Sequence, residues 1–403
     1  MKKLNIVIRT ALLVGATLAA TMASASDKEL LKTLYNNGVL NKAQYQKLLK
    51  QEKSKESFVS SAKSSKSSDW FSKIKIGGDM RFRHENIDRD DTNGVKESRQ
   101  RIRARLKVSA EVNDEVDVGL RLVTTGGQTS TNQTIEGSFS GKDIFLDRAY
   151  INWHPDFLKG ASAIFGKFGQ PWYNVSSAGL VWDSDVNPEG VAVTYKTKLG
   201  DVQLAATGGY FILEDGDTMQ GTANNNGFSD DLNMYHAGLS ASMKFNDKLK
   251  GSVGSNVFIY NKEMQLQNGV VGTNLENSAM EIYEVAGRID VDTGILPVYT
   301  YAQYAVNEAA IDSDQNTAWL AGFGAKYGSF KLNYNYRDTQ RFAVADTFND
   351  SDFAIGNVAA RGHKVKASYK ISKNFSLGSA YLAAREYSGR NTDIFQLDLK
   401  AKF

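Results

Sequence analysis

Along the first half of the chain, basic residues recur at every second position: Arg81 and Arg83, then Arg101, Arg103, Arg105 and Lys107, followed singly by Arg121, Arg148 and Lys167. In an extended chain successive side chains point to opposite faces, so each run sets its charges on one face. The residues interleaved with the longest run, Ile102, Ala104, Leu106, Val108 and Ala110, are apolar. A face this basic is costly to bury and must meet water or acids. The chemistry open to such a row is electrostatic, the attraction and alignment of charged solutes in a wet passage. Covalent chemistry finds no support: His84, His154, His236 and His363 are scattered, with Asn86, Asp156, Gly238 and Val365 two places after them, and none suggests a nucleophile and base pair. No two histidines are close enough in sequence to start a metal cluster. Asp88, Asp90 and Asp91 with Asn93 and Gly94 miss the calcium-loop spacing, because the glycine is one place late and no closing Glu follows. Catalytic residues, metals and cofactors are therefore not expected, and without cysteine there is no thiol chemistry.

The elements that carry these charges repeat one pattern. Tyr235, Ala237, Leu239, Ala241, Met243 and Phe245 alternate with polar residues, as do Trp319, Ala321, Phe323, Ala325 and Tyr327, and Phe395, Leu397, Leu399, Ala401 and Phe403. A strand with lipid on one face and water on the other needs this alternation over roughly 9 to 11 residues. About sixteen such segments can be marked off, an even number as closed bacterial barrels require. Short turns at Asn113-Asp114, Gly200-Asp201, Asn246-Asp247 and Ser372-Lys373-Asn374 alternate with long polar loops near 87–98, 125–142, 169–189, 212–233, 261–278, 308–316, 339–360 and 386–390. Outward aromatics sort into two girdles. Trp153, Tyr195, Phe245, Tyr327, Phe330, Tyr369, Phe375 and Phe403 lie toward the turns, and Phe82, Tyr235, Tyr283, Trp319 and Tyr336 toward the loops. A soluble sandwich or propeller explains the alternation but not the girdles. The four prolines, Pro155, Pro171, Pro188 and Pro297, all avoid strand interiors. The fold expected is all-β, a 16-stranded antiparallel transmembrane barrel over 70–403. Tyr150, Tyr260, Tyr299 and Tyr301 point inward by parity, as lumen packing sooner than as a track for sugars.

Three segments precede the barrel. Residues 1–25 combine Lys2, Lys3 and Arg9, an apolar run at 11–20 and the small-residue site Ala23-Ser24-Ala25, the pattern of a cleaved export signal. Its removal takes the formal net charge from +3 to about zero, which offers nothing to nucleic acid. Residues 26–53 read as a helical hairpin, with Leu30, Leu31 and Leu34 on one face, Gly38 as a stop and Asn41 with Gln44 as a capping box. Residues 54–69, rich in Ser and Lys, read as a flexible linker.

Two stretches, LVWDSDVNPEGVAV at 180–193 and NDSDFAIGNVAARGHKVKASYKISKNFSLGSAYLAARE at 349–386, resemble the "putative porin" family of Gram-negative bacteria, as does the hairpin and linker before them. The terminal Phe403 is similar to the C-terminal aromatic signal of outer-membrane proteins. Pro188-Glu189-Gly190 resembles part of the constriction-loop motif of general trimeric porins, but lacks the motif's neighbouring aromatic and second glycine. The resemblance implies an outer-membrane location reached through the periplasm, a homotrimer, and a third loop folded into the lumen. Asp183, Asp185 and Glu189 would then face the basic wall across a constriction.

The resulting expectation is a porin passing small hydrophilic solutes by passive diffusion, leaning to anions because the assigned basic residues outnumber the loop acids. The alternative for those arginines is pairing with Asp79, Glu85, Glu111 and Asp117, which would stiffen the wall and leave little selectivity. The alternative for the whole chain is a barrel acting as a cell-wall tether or adhesin, through peptidoglycan contact at 27–69 or through its outer loops. Lipid and lipopolysaccharide are the surroundings expected of either.

Overall fold

The computed structural model describes residues 73–90, 96–127, 129–175, 179–214, 231–266 and 276–403, with scattered positions between 32 and 50. The export signal and the Ser/Lys linker lie outside the described residues, as do Leu30, Leu31, Leu34 and Gly38. Within the leading segment Asn41 and Gln44 exchange the reciprocal hydrogen bonds of a capping box at 3.0 and 2.9 Å, and Tyr35 stacks on Tyr45 at 4.7 Å.

From Ile74 the alternation becomes a closed sheet. Its strands are β1 (Ile74–Arg89), β2 (Lys96–Asn113), β3 (Val116–Val123), β4 (Phe145–Trp153), β5 (Ala161–Lys167), β6 (Glu189–Leu199), β7 (Val202–Glu214) and β8 (Leu232–Lys244). The second half has β9 (Leu249–Tyr260), β10 (Glu281–Asp292), β11 (Pro297–Asn307), β12 (Thr317–Tyr327), β13 (Phe330–Thr339), β14 (Ala360–Lys370), β15 (Phe375–Glu386) and β16 (Asn391–Lys402). Each strand pairs antiparallel with its sequence neighbours. Closure comes from β16 against β1, in register from Asp79↔Lys402 to Arg89↔Thr392. Closing the ladder leaves no edge of unpaired N–H and C=O groups in hydrocarbon, which lipid does not tolerate.

The parity read from sequence holds along the wall. Phe82, Trp153, Tyr195, Tyr235, Phe245, Trp319, Tyr327, Tyr369 and Phe403 present large exposed surfaces outward, whereas Arg83, Glu85, Asn256, Gln303, Asn335 and Arg337 are buried inward. Register shifts occur at Glu111/Asn113, at Ile212/Glu214 and between β3 and β4, where Arg121 pairs with Arg148 but Leu122 pairs with Leu146, so Asp147 joins Arg148 on the inner face. Gly166 and Gly190 face each other across the β5–β6 ladder at φ +108° and +144°, and a Cβ on either would meet a backbone oxygen within 2.3 Å. The glycine of the Pro188-Glu189-Gly190 stretch is thus explained by the backbone.

Loop composition, by contrast, was not legible as core. The β5–β6 loop (168–188) carries Phe168, Trp172, Val175, Leu180, Val181, Trp182 and Val186, all buried. They pack against inward Phe211, Met234, Phe258, Ile282, Ala305, Ala318 and Leu320 of β7 to β12 and against Phe342–Ala345 of the β13–β14 loop. Trp172 lies 4.9 Å from Trp182, which stacks on Phe348 at 5.0 Å. Each fully buried aliphatic or aromatic side chain of this kind contributes roughly 1.5–3 kcal/mol. The loop enters the barrel because apolar side chains of that half of the inner wall, set among hydrogen-bonded amides, receive its aromatic residues. Phe168 N–H donates to Pro188 O at 3.1 Å and closes its neck. A smaller cluster joins Ile87, Phe353, Leu382, Ala384 and Ile394, seating the other inward loop against β15, β16 and β1.

Candidate functional site

The basic rows of β1 and β2 follow from period-two alternation, and the structure brings them to the inner loops. Arg83 is held by Asp398 of β16 at 2.7 and 3.1 Å, by Asp352 of the β13–β14 loop at 3.3 Å and by Glu85 at 3.5 Å. Arg103 and Arg105 both bind Asp79 at 2.7 Å, and Arg105 reaches Asp185 of the β5–β6 loop at 3.4 Å. Arg101 approaches Glu85 at 3.5 Å and donates to the Asn132 carbonyl at 3.1 Å, and Arg81 donates to the Asn132 side chain. Arg121 pairs with Asp147, and Arg148 donates to Asn187 at 2.7 Å. Much of the basic wall therefore clamps the loops.

Of the nine basic residues singled out in the sequence, Arg81, Arg83 and Arg103 line a central cavity of about 330 Å³ together with Asp183 and Asp185. Glu189 does not join them. It opens β6 and pairs with Lys167 across the ladder, because the loop turns inward before reaching it. Lys107 is exposed on the same inner row nearer the turn end. Glu111 pairs with Lys75 and Asp117 with His154, so of the four wall acids only Asp79 and Glu85 engage the arginine rows.

The sequence reading missed the second half of the site. Asp350 and Asp352 come from the β13–β14 loop, and Lys364, Lys366, Asp398, Lys400 and Lys331 from β13, β14 and β16 complete the cavity. The signal was present. Lys364 and Lys366 alternate with Val365 and Ala367, and Asp398 and Lys400 with Leu397, Leu399 and Ala401, the same parity that marked β2. Asp350 is the hub of this half, bound by Arg337 at 3.0 Å and by Lys364. Burial works against its charge, but the Lys364 ammonium and Arg337 guanidinium hold the carboxyl below the usual range.

The two inward loops meet at Asp183. Its N–H donates to Phe348 O at 2.7 Å, and its carboxylate accepts from the N–H groups of Asp185 at 2.8 Å and Ser351 at 3.1 Å. Burial first, then the neighbouring Asp350 charge, push its pKa up to about 7. Arg337 also donates to Gly179 O at 3.3 Å, tying the β5–β6 loop to the opposite wall. Tyr260 and Tyr301 are buried in packing, and Tyr299 stacks on Tyr301 at 6.0 Å and lines the cavity. Among the described residues no group of acids and histidines could hold a metal ion.

Solved structures share the architecture. OprB of Pseudomonas putida aligns with a TM-score of 0.55 at 12% identity, covering 82% of this chain and 94% of that one. OmpT of Vibrio cholerae gives 0.48 at 12% identity over 82% and 97%, and a mutant porin of Rhodopseudomonas blastica 0.45 at 10% over 82% and 100%. At 12% identity the OprB alignment speaks to fold alone. No curated protein matches by sequence. The sequence profile described as "putative porin" matches residues 90–287 and 314–403, most of the chain. That match over a closed sixteen-stranded barrel places the protein in the outer membrane as a channel, and the chain belongs to the putative porin family.

Proposed function

We propose that the barrel passes small hydrophilic solutes by passive diffusion and favours anions over cations, with the cavity between the two inward loops and the basic wall as its selective step. The observation that carries the reading is the charge of that cavity: seven basic residues, Arg81, Arg83, Arg103, Lys331, Lys364, Lys366 and Lys400, against five acids, Asp183, Asp185, Asp350, Asp352 and Asp398. A net positive ring in a narrow, partly desolvated passage raises the local concentration of anions and lowers that of cations. Raised toward neutrality, Asp183 carries less than a full negative charge near pH 7, which widens the imbalance. The test is a planar-bilayer recording in a potassium chloride gradient. An anion-leaning reversal potential is expected, and a cation-selective or non-conducting barrel would overturn the reading.

A further inference from the structure

The cations of this cavity are unevenly matched with acids. Asp398 serves Arg83 through two contacts, Arg81 at 3.8 Å and Lys400 at 3.0 Å; Asp350 serves Arg337 and Lys364; Asp352 serves Arg83. Lys366 lies within the fields of Lys364, Lys400, Asp350 and Asp352, yet both of those carboxylates are taken by other cations. Neither Lys366 nor Lys331 forms an ion pair or hydrogen bond among the described residues. A partly buried cation beside like charges gains from a counter-charge, and no carboxylate is paired with Lys366 itself.

The backbone also leaves room for one. Lys366 of β14 is in register with Asn333 on one side and Ala380 on the other, while Lys331 is level with Ser368, and Ser368 with Gly378. Between Lys366 of β14 and Lys400 of β16, strand β15 thus puts only the small residues Ser376, Gly378 and Ala380 on the inner face. A Cβ built at Gly378 would meet nothing closer than 3.7 Å, and the Asp398 Cβ and the Lys400 ammonium would each lie 3.8 Å from it. Lys400, paired with Asp398, therefore reaches over an empty step. The result is a notch on the turn side of the meeting loops, lined by Lys331, Lys366 and Lys400, with the Asp398 carboxylate on its β16 side paired to Lys400 at 3.0 Å.

We infer that this notch is a binding subsite for a compact oxyanion carrying two negative charges, of the chemistry of inorganic phosphate or sulfate. Three lysines lining one cavity beside a position without a side chain, two of them with no acid of their own, match several acceptor oxygens on a small centre, whereas a single halide satisfies one of them. The inference rests on the diffusion pathway proposed above, since a solute reaches the notch only through the lumen.

The test is block of chloride current by inorganic phosphate, and in a parallel arm by sulfate, in planar-bilayer recordings of the full barrel. Current through the wild type should fall as phosphate is raised through the millimolar range. Lys366→Gln should raise the half-blocking concentration by about tenfold or more, the worth of one hydrogen bond to a charged group, and Lys366→Arg should retain block. Gly378→Leu keeps every charge but fills the step, and should weaken block equally. If Lys366→Gln fails to assemble, the exposed Lys331→Gln carries the same prediction. Block by one oxyanion alone identifies the preferred ligand. Wild-type current indifferent to both ions, or variants blocked as readily as the wild type, overturns the subsite. The reversal potential from the same membranes separates the two readings: an anion-leaning barrel without block loses the subsite only, and a cation-selective one loses the diffusion reading itself.

Discussion

The two halves of the lumen wall solve the same problem in opposite ways. From β13 through β16 and on through β5 the inner face is charged, and its cations are met by acids on neighbouring strands and on loop tips. From β7 to β12 it carries a cluster of apolar side chains among hydrogen-bonded polar ones, and the β5–β6 loop lies against that cluster with its tryptophans inward. An apolar face cannot remain wet without cost, and a charged one cannot be covered cheaply. The inward loop is thereby directed to one side, and the passage left beside it is bounded mainly by charge. The difference teaches that the pore's position is set by hydrophobic patterning of the wall, while its preference is set by what stays uncovered.

The largest break in that comparison should come from the apolar side. Trp172 lies within 6 Å of Trp182, Phe211, His236 and Phe258. Trp172→Ala should cost about 3–5 kcal/mol of loop packing. Single-channel conductance should rise severalfold, and limited proteolysis should newly cut within 168–188. An unchanged conductance would mean that the loop is held by its polar ties instead.

On the charged side the matching variant is Asp350→Ala. It strands Arg337 and Lys364, both almost wholly buried, and breaking a buried pair in this way costs about 3–5 kcal/mol. The β13–β14 loop should lift, the melting temperature should fall, and the reversal potential should move further toward anions. A more cation-leaning potential would show that Asp350 does not act on the passage.

How much of this was legible in the sequence differs between the halves as well. Strand parity, turn placement and the basic rows of β1 and β2 were readable because a lipid-facing strand enforces period two, as at Arg101 to Lys107. Lys364, Lys366 and Lys400 obey the same rule, but their runs are shorter and mixed with acids, so they do not announce a row. The loop cores were not legible. Trp172, Trp182 and Phe342 stand in stretches without periodicity, and their burial depends on apolar wall residues far away in sequence. Asp350 and Asp352 matter only because two inward loops meet, a contact that no local pattern encodes.

That meeting point supplies a smaller effect, dependent on pH. Asp183 has its pKa raised to about 7, chiefly by burial. Between its ordinary carboxylate range and about pH 7 the folded protein binds more protons than the unfolded chain, so the contribution to stability is full at low pH and is lost as pH rises through 7. The same protonation removes a negative charge from the cavity. Anion preference should therefore strengthen from pH 8 to pH 6, as read from reversal potentials, and Asp183→Asn should flatten that dependence. A wild-type profile that is already flat would place the loop junction outside the conducting path.

The smallest effect is expected where the sequence had placed a constriction acid. Glu189 pairs with Lys167 at the mouth, and its side chain is 59% exposed. An exposed pair of this kind is worth about 0–1 kcal/mol, because water screens it and both side chains give up conformational freedom to form it. Glu189→Gln should leave the reversal potential, phosphate block and melting temperature within error of the wild type, whereas Asp185→Asn should move selectivity toward anions. Asp185 shares Arg105 with Asp79 and lines the cavity, so its neutralisation changes the field where solutes pass. Equal shifts from the two variants would erase the distinction between mouth and constriction. The arginine wall would then act as a diffuse field along the whole lumen instead of through the ring of charge around the two loops.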